Sequence, residues 1–489
     1  MPKYMLFDDM HIAEKRGFSA RAVNPSKSFV AICPDRPWER LGLCGDSCMT
    51  VIDDNGVKKM WYAIVSPDEK HGADRSLTDD ELKSLDLSSI PQKFIADILC
   101  PERYYLCYAY SRDGREWIKP ELGIYSVDGS TANNIVFGGR LGSTVFIDPT
   151  APPETRFKMI HGGSLKLPHW HNGRFVRMAY TGIYGATSPD GIHWTSTSRP
   201  IMPHYTDTTN VCFYDDEQRK YIAFVRTDKN MIYDNGRTVM RDPDHRTYRI
   251  ISRSESRDFF NFPPPVEIMA PRDDEIQDYL SNYKSRNGMD LYNSSAMKYE
   301  YAKGVYFLFP SYFHHDTDEA IIHIATGRDS VHFTRHDEPL IRPEDAPLFR
   351  APQQYLGCGM LPSKDDALLL YANTYSVGHD KLSQVQKRET AITGYEFQKD
   401  GFIGQYAEDG TLETKPLSIP EQCRKMIIRA KTEQGGHIDA SIHGHDVAFT
   451  YTPAANGVVV MQTMLTDALS EFRLRIHAVK STVFSIELN

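Results

Sequence analysis

YSRDGREW at 110–117 and TSPDGIHW at 187–194 are two copies of one phrase. Worn versions follow as SRDFFNF at 256–262, TGRDSVHF at 326–333 and QKDGF at 398–402. Their closing aromatics, Trp117, Trp194, Phe262, Phe333 and Phe402, stand 77, 68, 71 and 69 residues apart. A nearly constant period marks a repeat architecture, one supersecondary unit recurring along the chain. Asp-Gly between two apolar runs favours a type I′ hairpin turn, because both central residues must take positive φ. The Ser or Thr before it can bond nearby backbone, and the aromatic opens the next strand and packs inward. Each motif is therefore expected to join the last two strands of a four-stranded sheet.

An earlier hairpin recurs inside every repeat. It reads CMTVIDDNGVKKMWYAI in the first, with Asn55-Gly56 as its turn, and TVFIDPTAPPETRFKMI in the second. The third, fourth and fifth are NVCFYDDEQRKYIAFV, SSAMKYEYAKGVYFLF and GMLPSKDDALLLYAN. Four strands per unit, repeated five times, predict an all-β five-bladed β-propeller over residues 1–410. A sandwich of unrelated strands would not preserve the spacing. Residues 66–103 read as a helical insertion and 263–288 as a loop insertion. Beyond Phe402 the motif stops, and MIIRAKT, HIDASIH, VAFTYT, VVVMQTM, FRLRIHAV and TVFSIEL follow. These predict a small antiparallel, sandwich-like C-terminal β-domain of about six strands over 411–489, to which the N-terminal segment adds a strand.

Composition agrees with many short aromatic strands. Of 489 residues, 27 are Tyr, 23 Phe, 29 Pro and 32 Gly, a profile of strands and tight turns rather than long helices. The net charge is −9 with no basic run, so nucleic acid is an unexpected partner. Asp8 and Asp9 interrupt the only short apolar stretch at the N-terminus, and no apolar run is long enough to span a bilayer. A cytoplasmic protein without a membrane partner is expected. The eight cysteines include one lone C-x3-C, Cys44 and Cys48, and are read as reduced small hydrophobes.

In a propeller the innermost strand of each blade lines a central channel, so residues at its start converge. Asp46 lies 15 residues before Trp61, Asp207 lies 15 before Ile222, and Asp290 lies 16 before Tyr306. Blade two offers Gly142-Ser143-Thr144 at this level and blade five Gln353-Gln354. Converging carboxylates raise one another's pKa, and a protonated acid beside an ionised one is what glycoside hydrolysis requires. Asp46, Asp207 and Asp290 are the candidate catalytic residues; the blander reading is that each caps its own turn. Candidate substrate-binding residues are Trp38 and Glu39 in RPWER, Arg226, His161, His314 and its neighbour His315, His379, Asn210 and Tyr292. His169 and His171 have a strand-like metal spacing, but no third ligand stands near them. No metal and no cofactor are expected.

With those residues in place the chain resembles the five-bladed propeller glycoside hydrolases, the group of family 32 fructosidases and family 43 arabinosidases and xylosidases. SRDGREW, TSPDGIHW, the three aligned aspartates and the trailing β-domain carry the resemblance. The lines LFDDMHIAEKRGF, DGSTANNIVFGG, DTTNVCFYDDEQRKYIAFVR and KPLSIPEQCRKMIIRA are similar to a set of uncharacterised bacterial family 32-like proteins. The resemblance implies a glycosidase acting on a small oligosaccharide or glycoside, and a homo-oligomer is compatible with it. It implies Asp46 as nucleophile or base, with Asp207 and Asp290 as the acid and the pKa-modulating carboxylate. Departures are plain: WMNDPNG, RDP and EC are absent, and the acids fall in blades one, three and four. A phosphate-dependent glycoside phosphorylase and a non-catalytic carbohydrate-binding propeller are the alternatives. A sialidase is disfavoured, because its repeat carries an extra residue between Asp and Gly.

Overall fold

The computed structural model describes residues 2–44, 49–65, 104–138, 142–171, 174–202, 204, 209–234, 237–240, 248–276, 288–379, 389–445, 447–453, 457–465 and 470–489. Asp46 and Asp207 lie outside the described residues, as does the expected helical insertion at 66–103. What is described is nearly all β.

Three antiparallel four-stranded sheets follow in chain order. The first is Met49–Asp54, Val57–Val65, Tyr104–Ser111 and Ile135–Gly138. The second is Thr144–Ile147, Phe157–His171, Arg174–Ser188 and Thr195–Ser196. The third is Val211–Asp215, Lys220–Asp228, Arg249–Ser256 and Val266–Met269. Part of the expected loop insertion at 263–288 is thus the third sheet's outer strand, because Val266 and Glu267 continue the ladder with Arg253 and Ser252. The next two groups, Met289–Ile341 and Gln353–Gln398, are joined in one larger sheet by a parallel pair at Ala320 and Gln353. The last group borrows its outer strand, Lys27–Ile32, from the start of the chain.

The middle strands of the first and third sheets, Val57–Val65, Tyr104–Ser111, Lys220–Asp228 and Arg249–Ser256, are buried on both faces along most of their length, which explains their apolar runs. In the first sheet Trp61 and Ala63 meet Val145, Phe157 and Met159 of the second. Met60, Tyr62 and Ile64 point the other way, to Leu361, Leu369 and Tyr371 of the last group. Second and third share Ile160, Ile183, Ala223 and Val225. Third and fourth share Ile222, Phe224, Leu291 and Leu308, and fourth and fifth share Phe307, Ile324, Leu356 and Leu370. Each group packs on its predecessor and its successor, and the last packs on the first.

The hairpin turn at Asn55-Gly56 is as expected: Asp54 pairs with Val57, and the two turn residues have φ of 55° and 86°. The repeated Asp-Gly motif is a different turn. In the first two copies only the glycine is left-handed, Gly114 at +77° and Gly191 at +82°, and in the fifth it is Asp400 instead, at +68°. Type I′ needs both central residues at positive φ, so it does not apply. Side chains hold it instead. Asp113 Oδ1 accepts the amides of Arg115 and Glu116, and Ser111 Oγ accepts those of Asp113 and Gly114. Asp190 and Ser188 repeat the set on Ile192, His193, Asp190 and Gly191. The motif then fastens each sheet to the one before it. Trp61 Nε1 donates to Gly191 O at 2.7 Å, Arg253 donates to Ser330 Oγ at 2.8 Å, and Phe259 packs on Phe146.

The chain ends in a seven-stranded sheet built from Ile403–Thr414, Lys425–Ile442, Thr450–Pro453, Val458–Met464 and Leu474–Leu488, with Lys3–Met5 and Ile12–Ala22 from the N-terminus. Four of the six expected strands are halves of two long ones. MIIRAKT and HIDASIH form Lys425–Ile442, and FRLRIHAV and TVFSIEL form Leu474–Leu488. Gly435-Gly436, between MIIRAKT and HIDASIH, sits in a register shift within one continuous strand.

Candidate active site

Asp290 sits on the short strand Met289–Leu291, with only 1% of its surface exposed. It pairs with Phe313 of Ser311–His314. Arg249, first residue of the third strand in the preceding sheet, donates to Asp290 Oδ2 at 2.5 Å. The His315 Nε2 atom lies 3.2 Å from the same oxygen. Burial alone would raise the Asp290 pKa, but the adjoining His315 and Arg249 outweigh it and hold the carboxyl below its ordinary value. The second oxygen, Oδ1, is buried and has no hydrogen-bond partner among the described residues.

Aromatic rings wall this carboxylate. The Arg226 and Arg249 guanidiniums each lie 4.9 Å from the Tyr292 ring centre. His379 stands perpendicular to Tyr292 at 4.8 Å and to Phe313 at 4.7 Å, and Tyr355 lies 4.9 Å from Tyr292. Burial and the neighbouring Arg226 charge oppose protonation of Arg249, yet Asp290 prevails and raises its pKa. An ionised carboxylate, two guanidiniums and two imidazoles among aromatic faces can stack on a sugar ring and bond its hydroxyls.

Five of the sequence-derived candidates are therefore brought together: Asp290, Arg226, Tyr292, His315 and His379. His314 is not one of them. It pairs with Met289, so strand alternation puts it on the face opposite Asp290 and Phe313. Its charged neighbours are Asp316, Glu319 and Glu275. His161 is fully buried in the second sheet, stacked on Tyr184 with Nε2 3.1 Å from Ser196 Oγ. Asn210 ties the second and third sheets: its amide donates to Gly142 O at 3.1 Å and its carbonyl accepts from Thr144 Oγ1 at 2.7 Å.

Trp38 and Glu39 form a separate network on the first sheet. Glu39 is fully buried, and its Oε2 accepts Lys119 Nζ at 2.7 Å and the Asp35 amide at 3.0 Å. Its Oε1 accepts Tyr62 Oη at 2.7 Å, while Trp38 Nε1 donates to Asn134 Oδ1 at 2.9 Å. With both oxygens engaged, Glu39 anchors the 3-10 turn Pro37–Glu39 rather than offering an acid to a ligand. Glu39→Ala is expected to lower stability by about 1–3 kcal/mol, the cost of stranding buried polar partners. A thermal melt reads the loss; a melting curve identical to that of the parent protein would refute the anchoring role.

Arg249 was not legible as a site residue, since it stands fourth in RTYRIISRSES, one arginine among three, without a distinguishing pattern. The antiparallel pairing of Asp228 with Arg249 and of Arg226 with Ile251 brings the two arginines to the same end of one hairpin.

No protein-family model matches the chain, and no curated protein matches it. Among solved structures it is similar to glycoside hydrolases. An α-L-arabinofuranosidase from Podospora anserina, in complex with cellotriose, is 11% identical, covering 76% of this chain and 96% of its own, with a TM-score of 0.42. The Bombyx mori family 32 β-fructofuranosidase is 9% identical over 95% of this chain and 94% of its own, with a TM-score of 0.41. A glycosyl hydrolase from Bacteroides ovatus is 13% identical over 76% and 90%, with a TM-score of 0.39.

Proposed function

We propose that this chain is a cytoplasmic glycoside hydrolase, built as a five-bladed propeller with a C-terminal β-domain, that cleaves a glycosidic bond in a small oligosaccharide or glycoside. The closed succession of hydrophobic clusters from the first sheet round to the last supports the five blades. The observation that carries the function is Asp290. Its carboxylate is buried and held ionised, and its Oδ1 is unbonded among the described residues, with aromatic rings around it. Burying an ionised group is costly unless it is used or fully paired. An ionised Asp290 suits a base, nucleophile or charge-modulating role, leaving the acid to Asp207 and a partner carboxylate to Asp46.

A phosphorylase is the second reading, favoured by the Arg226 and Arg249 guanidiniums gathered over the one Tyr292 ring. A screen of aryl glycosides and oligosaccharides, furanose and pyranose, with and without phosphate, separates the readings. Hydrolysis yields free reducing sugar without phosphate; a sugar 1-phosphate formed only with phosphate selects the second reading. Sugar binding with no turnover on any substrate would overturn both and leave a binding propeller.

A further inference from the structure

The solvent face of the seven-stranded sheet carries a cluster that the active site does not use. His437 and Asp439 lie on Lys425–Ile442, His477 on Leu474–Leu488, and Asp409 on Ile403–Thr414. Asp439 pairs directly with His477, while His437 and Asp409 both pair with Val479, two residues along the same strand. Period-two alternation therefore puts all four on one face, while Ile438, Ile476 and Ala478 face the core. The register shift creates this arrangement. Thr432 pairs with Ser481, and on an unbroken ladder His437 would oppose Ile476 on the buried face. A shift of three residues, an odd number, flips the strand, so His437 opposes Val479 instead.

We infer that His437, Asp439 and His477 form a binding site for a divalent transition-metal ion. One ligand atom from each lies within 4.8 Å of the others. Asp439 Oδ2 is 3.8 Å from His437 Nε2 and 4.0 Å from His477 Nδ1. The donors of a tetrahedral zinc site, bound at about 2.0–2.1 Å, stand roughly 3.3 Å apart. Exposed side chains reach that spacing with small rotations. Asp409 prepares the site from behind. Its Oδ1 lies 3.0 Å from His477 Nε2, so it holds the proton there and leaves the Nδ1 lone pair facing Asp439. A carboxylate orienting a ligating imidazole in this way raises its basicity and fixes its ring. Two imidazoles and one carboxylate suit Zn²⁺, Ni²⁺ or Cu²⁺, not the all-oxygen shells of Ca²⁺ or Mg²⁺. One coordination position stays open to water or to a side chain of another molecule.

The test is calorimetric titration of the full chain with Zn²⁺, alongside His437→Ala, His477→Ala, Asp439→Ala and Asp409→Ala. The tightest equivalent should disappear in the two histidine variants and weaken strongly in Asp439→Ala. Asp409→Ala, which removes only the orienting carboxylate, should weaken it by about 10–100-fold. His437, Asp439 and Asp409 are exposed and His477 is half-buried, so unchanged melting temperatures without metal are expected to show intact folds. A parent chain that binds no Zn²⁺, or variants that bind it as tightly as the parent, would overturn the assignment. Glycosidase activity is not its readout, so it stands or falls independently of Asp290.

Discussion

Asp290→Asn is expected to lower turnover of the cleaved glycoside by about 10²–10⁴-fold, the range for loss of a positioned acid–base group. Asparagine keeps the shape of the side chain but cannot carry the charge that Arg249 and His315 stabilise at Oδ2. Sugar binding should persist, because stacking on Tyr292 and hydrogen bonding by Arg226 do not depend on that charge. The variant leaves Arg249 without its carboxylate, so a melting curve must accompany the kinetics. Full turnover in a folded Asp290→Asn protein would remove Asp290 from the mechanism. The pH profile gives a second check. A carboxyl held below its ordinary value is ionised throughout the neutral range and gains its proton only below the ordinary carboxylate range. Any acid limb of activity above roughly pH 5 must therefore belong to another group.

The succession of sheets was legible because it is written as a period. The spacing of Trp117, Trp194, Phe262, Phe333 and Phe402 survives even where the turn residues are worn. The turn itself was misread, since Asp113 and Asp190 work through their side chains rather than through positive φ. Asp290 was legible from its level in the repeat, and Arg249 was not, because pairing rather than pattern sets it beside Arg226. Glu39 has the chemistry of a catalytic acid, but nothing in RPWER shows that backbone amides, Lys119 and Tyr62 already occupy its oxygens. The imidazole pair on the C-terminal sheet was equally hidden, since His437 and His477 share a face only through an odd register shift. An expectation of no metal follows naturally from a sequence in which these residues are far apart.

Asp400→Ala should destabilise the protein by about 3–5 kcal/mol, as expected when one member of a buried ion-pair network is removed. Asp400 belongs to the fifth copy of the repeat motif, and its side chain is fully buried. Where the other motifs fasten one sheet to its predecessor, this one fastens three parts of the chain together. Its carboxylate accepts Lys3 Nζ at 2.7 Å from the first strand, Tyr299 Oη at 2.5 Å from the fourth group of strands, and Ser485 Oγ at 2.6 Å from the last strand. Arg429 Nε stands 3.8 Å away on the seven-stranded sheet. Lys3 keeps Glu487 at 3.2 Å and Arg429 keeps Asp366 at 2.6 Å, so the cations are not wholly stranded. Tyr299 and Ser485, however, lose buried acceptors outright. The backbone adds to the cost, because Asp400 has φ of 68°, which Asp and Asn tolerate better than Ala. Asp400→Asn should therefore be the milder variant, keeping the turn while losing the charge. Urea unfolding followed by tryptophan fluorescence and circular dichroism reads the difference. Equal midpoints for Asp400→Ala and the parent protein would show that the seven-stranded sheet is held by its apolar contacts alone, through Phe402, Ile403 and Phe7.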